Sequence, residues 1–211
     1  EIQIPTPTPG EQEVLVKLSF SGVNPSDVKS RSGNRPGVLK PPHELIIPHS
    51  DGSGTIEAVG ANIPKSRIGK KVWIWNGQWE RPFGTMAEYI TLPSQQAVDL
   101  PEYLSLKEGA TLGIPGLTAA HCVLGGESIK DKTVLVSGGS GAVGHIAVQL
   151  AKWAGALVIA TGSAKNHDYL RTLGANFTLD HRSENLTQEI LALVPEGIDR
   201  AVELEFGENT S

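Results

Sequence analysis

Residues 133 to 144 read Thr-Val-Leu-Val-Ser-Gly-Gly-Ser-Gly-Ala-Val-Gly, and their glycines are spaced for holding a diphosphate. Gly139, Gly141 and Gly144 satisfy G-x-G-x-x-G, while Gly138, Gly141 and Gly144 satisfy G-x-x-G-x-x-G. Such glycines serve a tight turn, a close backbone approach to a pyrophosphate, and close packing of helix on strand. Free N–H groups at the helix start, with the helix dipole, attract the phosphate charge. Ser140, Ala142 and Val143 complete the loop. The spacing alone is weak, but here an apolar strand precedes it and a helical stripe follows, as the mechanism requires.

The second residue set decides between dinucleotides. A site for NAD places Asp or Glu about twenty residues after the first glycine, where it accepts from the ribose 2′-OH. Here the corresponding stretch is Ile159-Ala-Thr-Gly-Ser-Ala-Lys, and no carboxylate comes before Asp168. Ser163 and Lys165 offer a donor and a positive charge suited to a 2′-phosphate. His181 and Arg182, in the loop after the third strand, are placed to approach the same group. The expected cofactor is NADPH. Against this stands a plainer reading, with Ser163 a helix N-cap and Lys165 a solvated charge.

These residues need elements to hold them. From residue 130 strands and helices alternate: strand 133–137, helix 141–154, strand 156–160, helix to 173, strand 176–179, helix 186–194 and strand 198–204. In the first helix Val143, Ile146, Ala147, Leu150, Ala151 and Ala154 recur at three- and four-residue steps. This order predicts βαβ units and a parallel sheet, with four strands rather than the six of a complete doubly wound domain. Before residue 125 the texture is Pro- and Gly-rich with short alternating runs at 14–20, 55–59, 71–75 and 86–92, which predict a small antiparallel, barrel-like unit. Ser105 with Glu108 predicts a capping box, and Pro115 a helix to Leu124 ended by Gly125-Gly126. The expected division is 1–125 and 126–211.

Composition narrows the function classes. A net charge of -5 does not favour nucleic-acid binding, and no apolar run is long enough to span a membrane. The single cysteine, Cys122, excludes an internal disulfide and an all-cysteine zinc site, which points to a reducing compartment, the cytoplasm. Cys122 reads as a small core residue. No signal peptide precedes Glu1, and the chain stops just after a strand, so a fragment is expected.

Several stretches resemble the medium-chain dehydrogenase/reductase superfamily, in its zinc-independent, zeta-crystallin-like quinone oxidoreductase branch. They are Ser21-Gly-Val-Asn-Pro-Ser-Asp; Pro48-His-Ser-Asp-Gly-Ser-Gly-Thr-Ile-Glu-Ala-Val-Gly, with His49 where glycine is usual; Gly69-Lys-Lys-Val; Gly84-Thr-Met-Ala-Glu-Tyr; and Ile114-Pro-Gly-Leu-Thr-Ala-Ala. The resemblance implies an α/β chain: a GroES-like β-rich catalytic domain followed by a partial Rossmann domain. It implies hydride transfer from NADPH to quinones or other α,β-unsaturated carbonyls, with no metal, since Asn24 and Ser50-Asp51 stand where the zinc branch has ligands. It further implies a chain short at both ends, a homo-oligomer in the full-length form, and Asn24 and Thr118 near the nicotinamide and its ribose. Enoyl-thioester reduction and a catalytically silent, crystallin-like role are the alternatives.

Two groups of residues stay open. Asp27, Lys29 and Arg31 follow Asn24 on a short helix begun by Pro25, and either line the substrate mouth or make Asp27 and Arg31 a surface pair. Trp73 and Trp75 share a strand face, with Trp79 in the next turn, and are either a quinone wall or plain core.

Overall fold

The computed structural model describes residues 2–33 and 43–204. The chain divides into two compact units between Ile114 and Pro115. The expected division after residue 125 falls later, because Ala119 and Val123 pack into the core of the second unit.

In the first unit, β1 (Glu13–Gly22), β2 (Asp51–Val59), β3 (Lys71–Ile74), β4 (Tyr89–Pro93) and β5 (Ala97–Asp99) form a five-stranded antiparallel sheet in the order β4-β1-β2-β3-β5. Alternation places Val14, Val16, Ile56, Val72, Ile74, Ile90 and Leu92 in one buried cluster. Trp73 therefore faces the other way and is half-buried. β3 stops at Ile74, and Trp75 turns its Nε1–H to the Gln95 carbonyl at 3.1 Å, while Trp79 is 57% exposed. The plain-core reading of these tryptophans is corrected: Val72 and Ile74 own that role. Helix α1 (Pro25–Arg31) follows β1 directly. Helix α2 (Leu106–Gly109) carries the expected capping box, with the Glu108 N–H donating to Ser105 Oγ at 3.2 Å and the Ser105 N–H to Glu108 Oε2 at 2.8 Å.

Helix α3 (Gly113–Leu124) crosses the division, and Gly126 beyond it takes a positive φ of 84°. The second unit then runs β6 (Thr133–Val136), α4 (Gly144–Trp153), β7 (Leu157–Gly162), α5 (His167–Thr172), β8 (Phe177–Asp180), α6 (Leu186–Leu193) and β9 (Arg200–Val202). Its four strands are parallel, in the order β8-β7-β6-β9. Val134 and Val136 of β6 and Val158, Ile159 and Ala160 of β7 are fully buried, as strands covered on both faces must be. The Arg200 guanidinium reaches from β9 to the carbonyls of Val123 and Glu127 at 2.7 and 3.0 Å, answering the open end of α3. Cys122 packs half-buried against this core. Among the described residues, no helix is long and apolar enough to cross a membrane.

Two expectations shift here. α4 starts at Gly144, not Gly141, and β7 runs on through Thr161 and Gly162, which sequence placed in a turn. Both shifts build the site.

Candidate functional site

The residues between β6 and α4 form a cradle rather than a helical turn. Gly138 has φ 64°, open to glycine with little cost, and its N–H donates to Thr161 Oγ1 at 3.1 Å. The Gly139 N–H donates to the Thr161 carbonyl at 2.8 Å, so the end of β7 fixes the loop. A Cβ on Gly139 would press on Leu170, Ala160 and Val148, and one on Gly144 would collide with the Gly138 backbone. Packing explains those two glycines. It does not explain Gly141, whose Cβ would meet only the Gly138 carbonyl, at 3.3 Å, and would otherwise stand in open space. Among the described residues nothing accepts the N–H of Ala142 or Val143. An open cradle with unanswered amides at a helix start fits a pyrophosphate.

The neighbouring strand ends carry the charged groups. Lys165 and His181 are exposed, and Ser163 is half-buried. Asn166 Nδ2 donates to Ser140 Oγ at 3.0 Å, tying the turn after β7 to the cradle. The β7–β8 register sets Gly162 beside Asp180. The absence of an acid near this end, argued from spacing, is corrected: the sheet brings one in from the next strand. Arg182 holds that acid with Nε and Nη2 at 3.1 and 2.9 Å and with its backbone N–H at 3.0 Å. These bonds, with one from the Ala164 N–H, keep the Asp180 carboxyl far below its ordinary range.

A second cluster lies in the first unit. The Asp27 carboxylate is buried and accepts the Asn24 N–H at 2.7 Å, capping α1 instead of forming a surface pair with the exposed Arg31. The surface-pair reading is thereby corrected. Asn24 Nδ2 donates to Asp51 Oδ2 at 2.8 Å, and the Ile114 N–H donates to both Asp51 oxygens at 2.9 Å. Asp51 is only 1% exposed, and burial pushes its carboxyl above the usual range although those hydrogen bonds oppose the rise. Thr118 is exposed on α3, within the second unit.

Hydrogen-bond direction fixes one further detail. The Asp51 carbonyl can only accept, so Thr85 Oγ1 donates to it at 2.6 Å. Thr85 has then spent its proton and must accept from Ser21 Oγ at 3.0 Å. Ser21 in turn must accept from His49 Nδ1 at 2.8 Å. The imidazole proton therefore sits on Nδ1. Asp180 and this four-group chain were missed by sequence reading. Only strand register and folding of distant residues join them.

Among the described residues, no three of His, Cys, Asp and Glu gather as a metal would need.

Residues 10–102 match the alcohol dehydrogenase GroES-like domain family, and residues 142–205 the zinc-binding dehydrogenase family. The chain is 34% identical over 211 residues to human quinone oxidoreductase, covering 99% of itself and 62% of that protein. It is 35% identical to a chloroplast envelope quinone oxidoreductase homolog of Arabidopsis thaliana, covering 86% and 56%. A trans-enoyl reductase of Aspergillus flavipes is 31% identical, with 90% and 58% covered. The chain thus spans less than two thirds of the length of these relatives. Among solved structures, an alcohol dehydrogenase superfamily protein of Novosphingobium aromaticivorans superposes with TM-score 0.85 at 30% identity, covering 95% of this chain and 60% of that one. A mycobacterial protein complexed with NADPH superposes with TM-score 0.75 at 29% identity, covering 92% and 58%. With a GroES-like unit followed by a Rossmann-type unit in this order, the chain belongs to the medium-chain dehydrogenase/reductase superfamily, among its quinone oxidoreductase-like members.

Proposed function

We propose that this chain binds NADPH and serves hydride transfer to quinones or other α,β-unsaturated carbonyls without zinc. The observation that carries the reading is Gly141, left without a packing reason in a cradle of unanswered amides. NADPH would bring the hydride itself. The protein's part is then to hold, orient and exclude water. Gly138, Gly139, Ser140, Gly141, Ala142, Val143 and Gly144 would receive the pyrophosphate. Lys165, with Ser163 and His181, would face the adenosine ribose.

Arg182 and Asp180 largely cancel, so Lys165 leaves the strand ends with a positive excess that suits a 2′-phosphate. Lys165→Ala should weaken NADPH binding by roughly 1–2 kcal/mol, the loss of one charge-assisted hydrogen bond, and leave NADH binding nearly unchanged. Asp180→Asn should raise NADPH affinity by removing a carboxylate. Titrations in which the wild type binds both cofactors equally, or in which Asp180→Asn selectively weakens NADH, would reverse the assignment.

In the first unit, Asn24 is a positioning residue whose amide is set by Asp51, while Asp27 holds the turn. Arg31 and Thr118 remain as exposed candidates for contacts to substrate and nicotinamide ribose. Zinc has no part in this reading, because Asn24 and Ser50-Asp51 offer no ligand trio. Elemental analysis of tag-free, chelator-washed protein should find none in stoichiometric amount; one zinc per chain would refute the point. The trans-enoyl reductase relative supports enoyl thioesters as a second substrate class, which competing assays with a quinone and an enoyl thioester separate.

A further inference from the structure

Three observations in the first unit meet at one place. His49 holds φ 76°, a backbone region that side chains disfavour, and where such strain persists the surroundings must enforce it. They do so here through three backbone bonds: Gly84 N–H to Ile47 O, Met86 N–H to Pro48 O and Thr85 N–H to His49 O, at 2.7, 3.1 and 2.9 Å. The enforced ring then gives its Nδ1 proton to Ser21. Ser21 and Thr85 in turn line an open cleft of about 230 Å³, walled by Leu18, Phe20, Met86 and Ala87. Phe20 and Met86 are 45% and 60% exposed, so apolar surface borders the half-buried Ser21, whose hydroxyl is backed by an imidazole and by the buried Thr85. Apolar walls with one protic corner suit a quinone or enone, oxygen end inward.

We propose that this cleft receives the carbonyl oxygen of the substrate, and that His49, acting through Ser21, delivers the proton which reduction requires. The inference rests on the reductase reading above. The hydride that NADPH would supply when bound would form the new C–H bond at the β-carbon, sending the π electrons to the carbonyl oxygen. The Ser21 hydroxyl proton swings from Thr85 to that oxygen, its O–H bond breaking as the enol O–H forms. The His49 Nδ1 proton passes to Ser21 Oγ as solvent protonates the ring at Nε2, so the imidazole stays neutral throughout. One hydride and one proton are consumed; the enol from an enone relaxes to the saturated ketone, and that from a quinone tautomerises to the hydroquinone as its sp3 ring carbon loses a proton to solvent and its second carbonyl oxygen gains one. Ser21 touches the substrate, and His49 acts behind it. The charged group facing His49 is Asp51 on β2, which Asp27 on α1 also faces. β1 and the turn at Thr85 present hydroxyls to it.

The test does not depend on turnover. The probe is 4-nitrophenolate, whose oxyanion stands in for the reduced quinone, added to the 211-residue chain. Met86 is the only methionine, so its methyl NMR signal needs no assignment, and His49→Gly identifies the His49 ring among six histidines. The probe should shift the Met86 methyl and raise the His49 titration midpoint by about one pH unit, as an anion near a cationic ring does. Ser21→Ala should abolish the rise, and Ser21→Thr, which keeps the hydroxyl, should restore it. His49→Gly should weaken the probe about tenfold while raising thermal stability, because glycine accepts the backbone that histidine resists. Unmoved Met86 and His49 signals, or a rise that survives Ser21→Ala, overturn the proposal. NADPH titrated into the same samples separates the two readings: NADPH binding with a silent cleft refutes this inference alone, and no NADPH binding refutes the reductase reading with it.

Discussion

Gly141→Val should abolish detectable NADPH binding while leaving the melting temperature of the chain unchanged. A Cβ at this position meets only the Gly138 carbonyl, and valine adds two further carbons to a loop whose Ala142 and Val143 amides are unanswered. A loss of at least about a hundredfold, or roughly 3 kcal/mol, is expected from excluding the pyrophosphate. Gly144→Ala should do the reverse. Its single added carbon collides with the Gly138 backbone, which has no flexible side chain to yield, so the second unit itself should lose roughly 3 kcal/mol or more. Calorimetric NADPH titration beside thermal unfolding separates the two. If Gly141→Val bound NADPH normally, the cradle would be only a tight turn.

Asp51→Ala should cost the first unit roughly 3 kcal/mol in urea unfolding. It strands the buried Asn24 amide and the Ile114 N–H without an acceptor, and each unpaired group costs about 1–3 kcal/mol. Asp51→Asn should be far milder. One oxygen still accepts from Ile114, and a flipped Asn24 can take the new amide proton. The pH dependence then has a definite sign. Burial raises the Asp51 carboxyl above its ordinary value, so its contribution is full below about pH 4 and declines as pH rises through the raised value. Asp51→Asn, uncharged throughout, should therefore gain on the wild type as pH climbs from 4 to 7. A difference that stays flat or falls across that range would mean that desolvation does not dominate.

The legible parts of this chain were those written within a few residues. Val14 and Val16, Val72 and Ile74, and Ser105 with Glu108 each declare a strand face or a cap by spacing alone. The glycine-rich loop was legible too, because Gly138, Gly139, Gly141 and Gly144 fall between an apolar strand and a helical stripe. What spacing could not show was the length of that loop. Gly141 to Val143 fit a helical stripe as well as an open turn, and the Gly144 collision, a tertiary effect, decides for the turn. Asp180 stayed hidden because its nearness to Gly162 exists only once β7 and β8 are in register. Asp51 likewise finds Ile114 across 63 residues, and no local pattern announces such a pair. Asp27 has the right neighbours for an ion pair with Arg31, yet the nearer Asn24 N–H wins it.

The position of β6 has a consequence for how the protein is made. It is the first strand of the second unit to leave the ribosome, yet it lies between β7 and β9. One flank is paired soon, when β7 emerges. The other must wait for Arg200 to Val202, so an apolar strand edge stays open through the synthesis of two further helices and β8. Arg200 also carries the guanidinium that closes the end of α3, with 77 residues separating it from Val123. A single late arrival thus pairs the second edge of β6 and closes the helix end, and until then the nascent unit presents to the cell the kind of surface that chaperones hold.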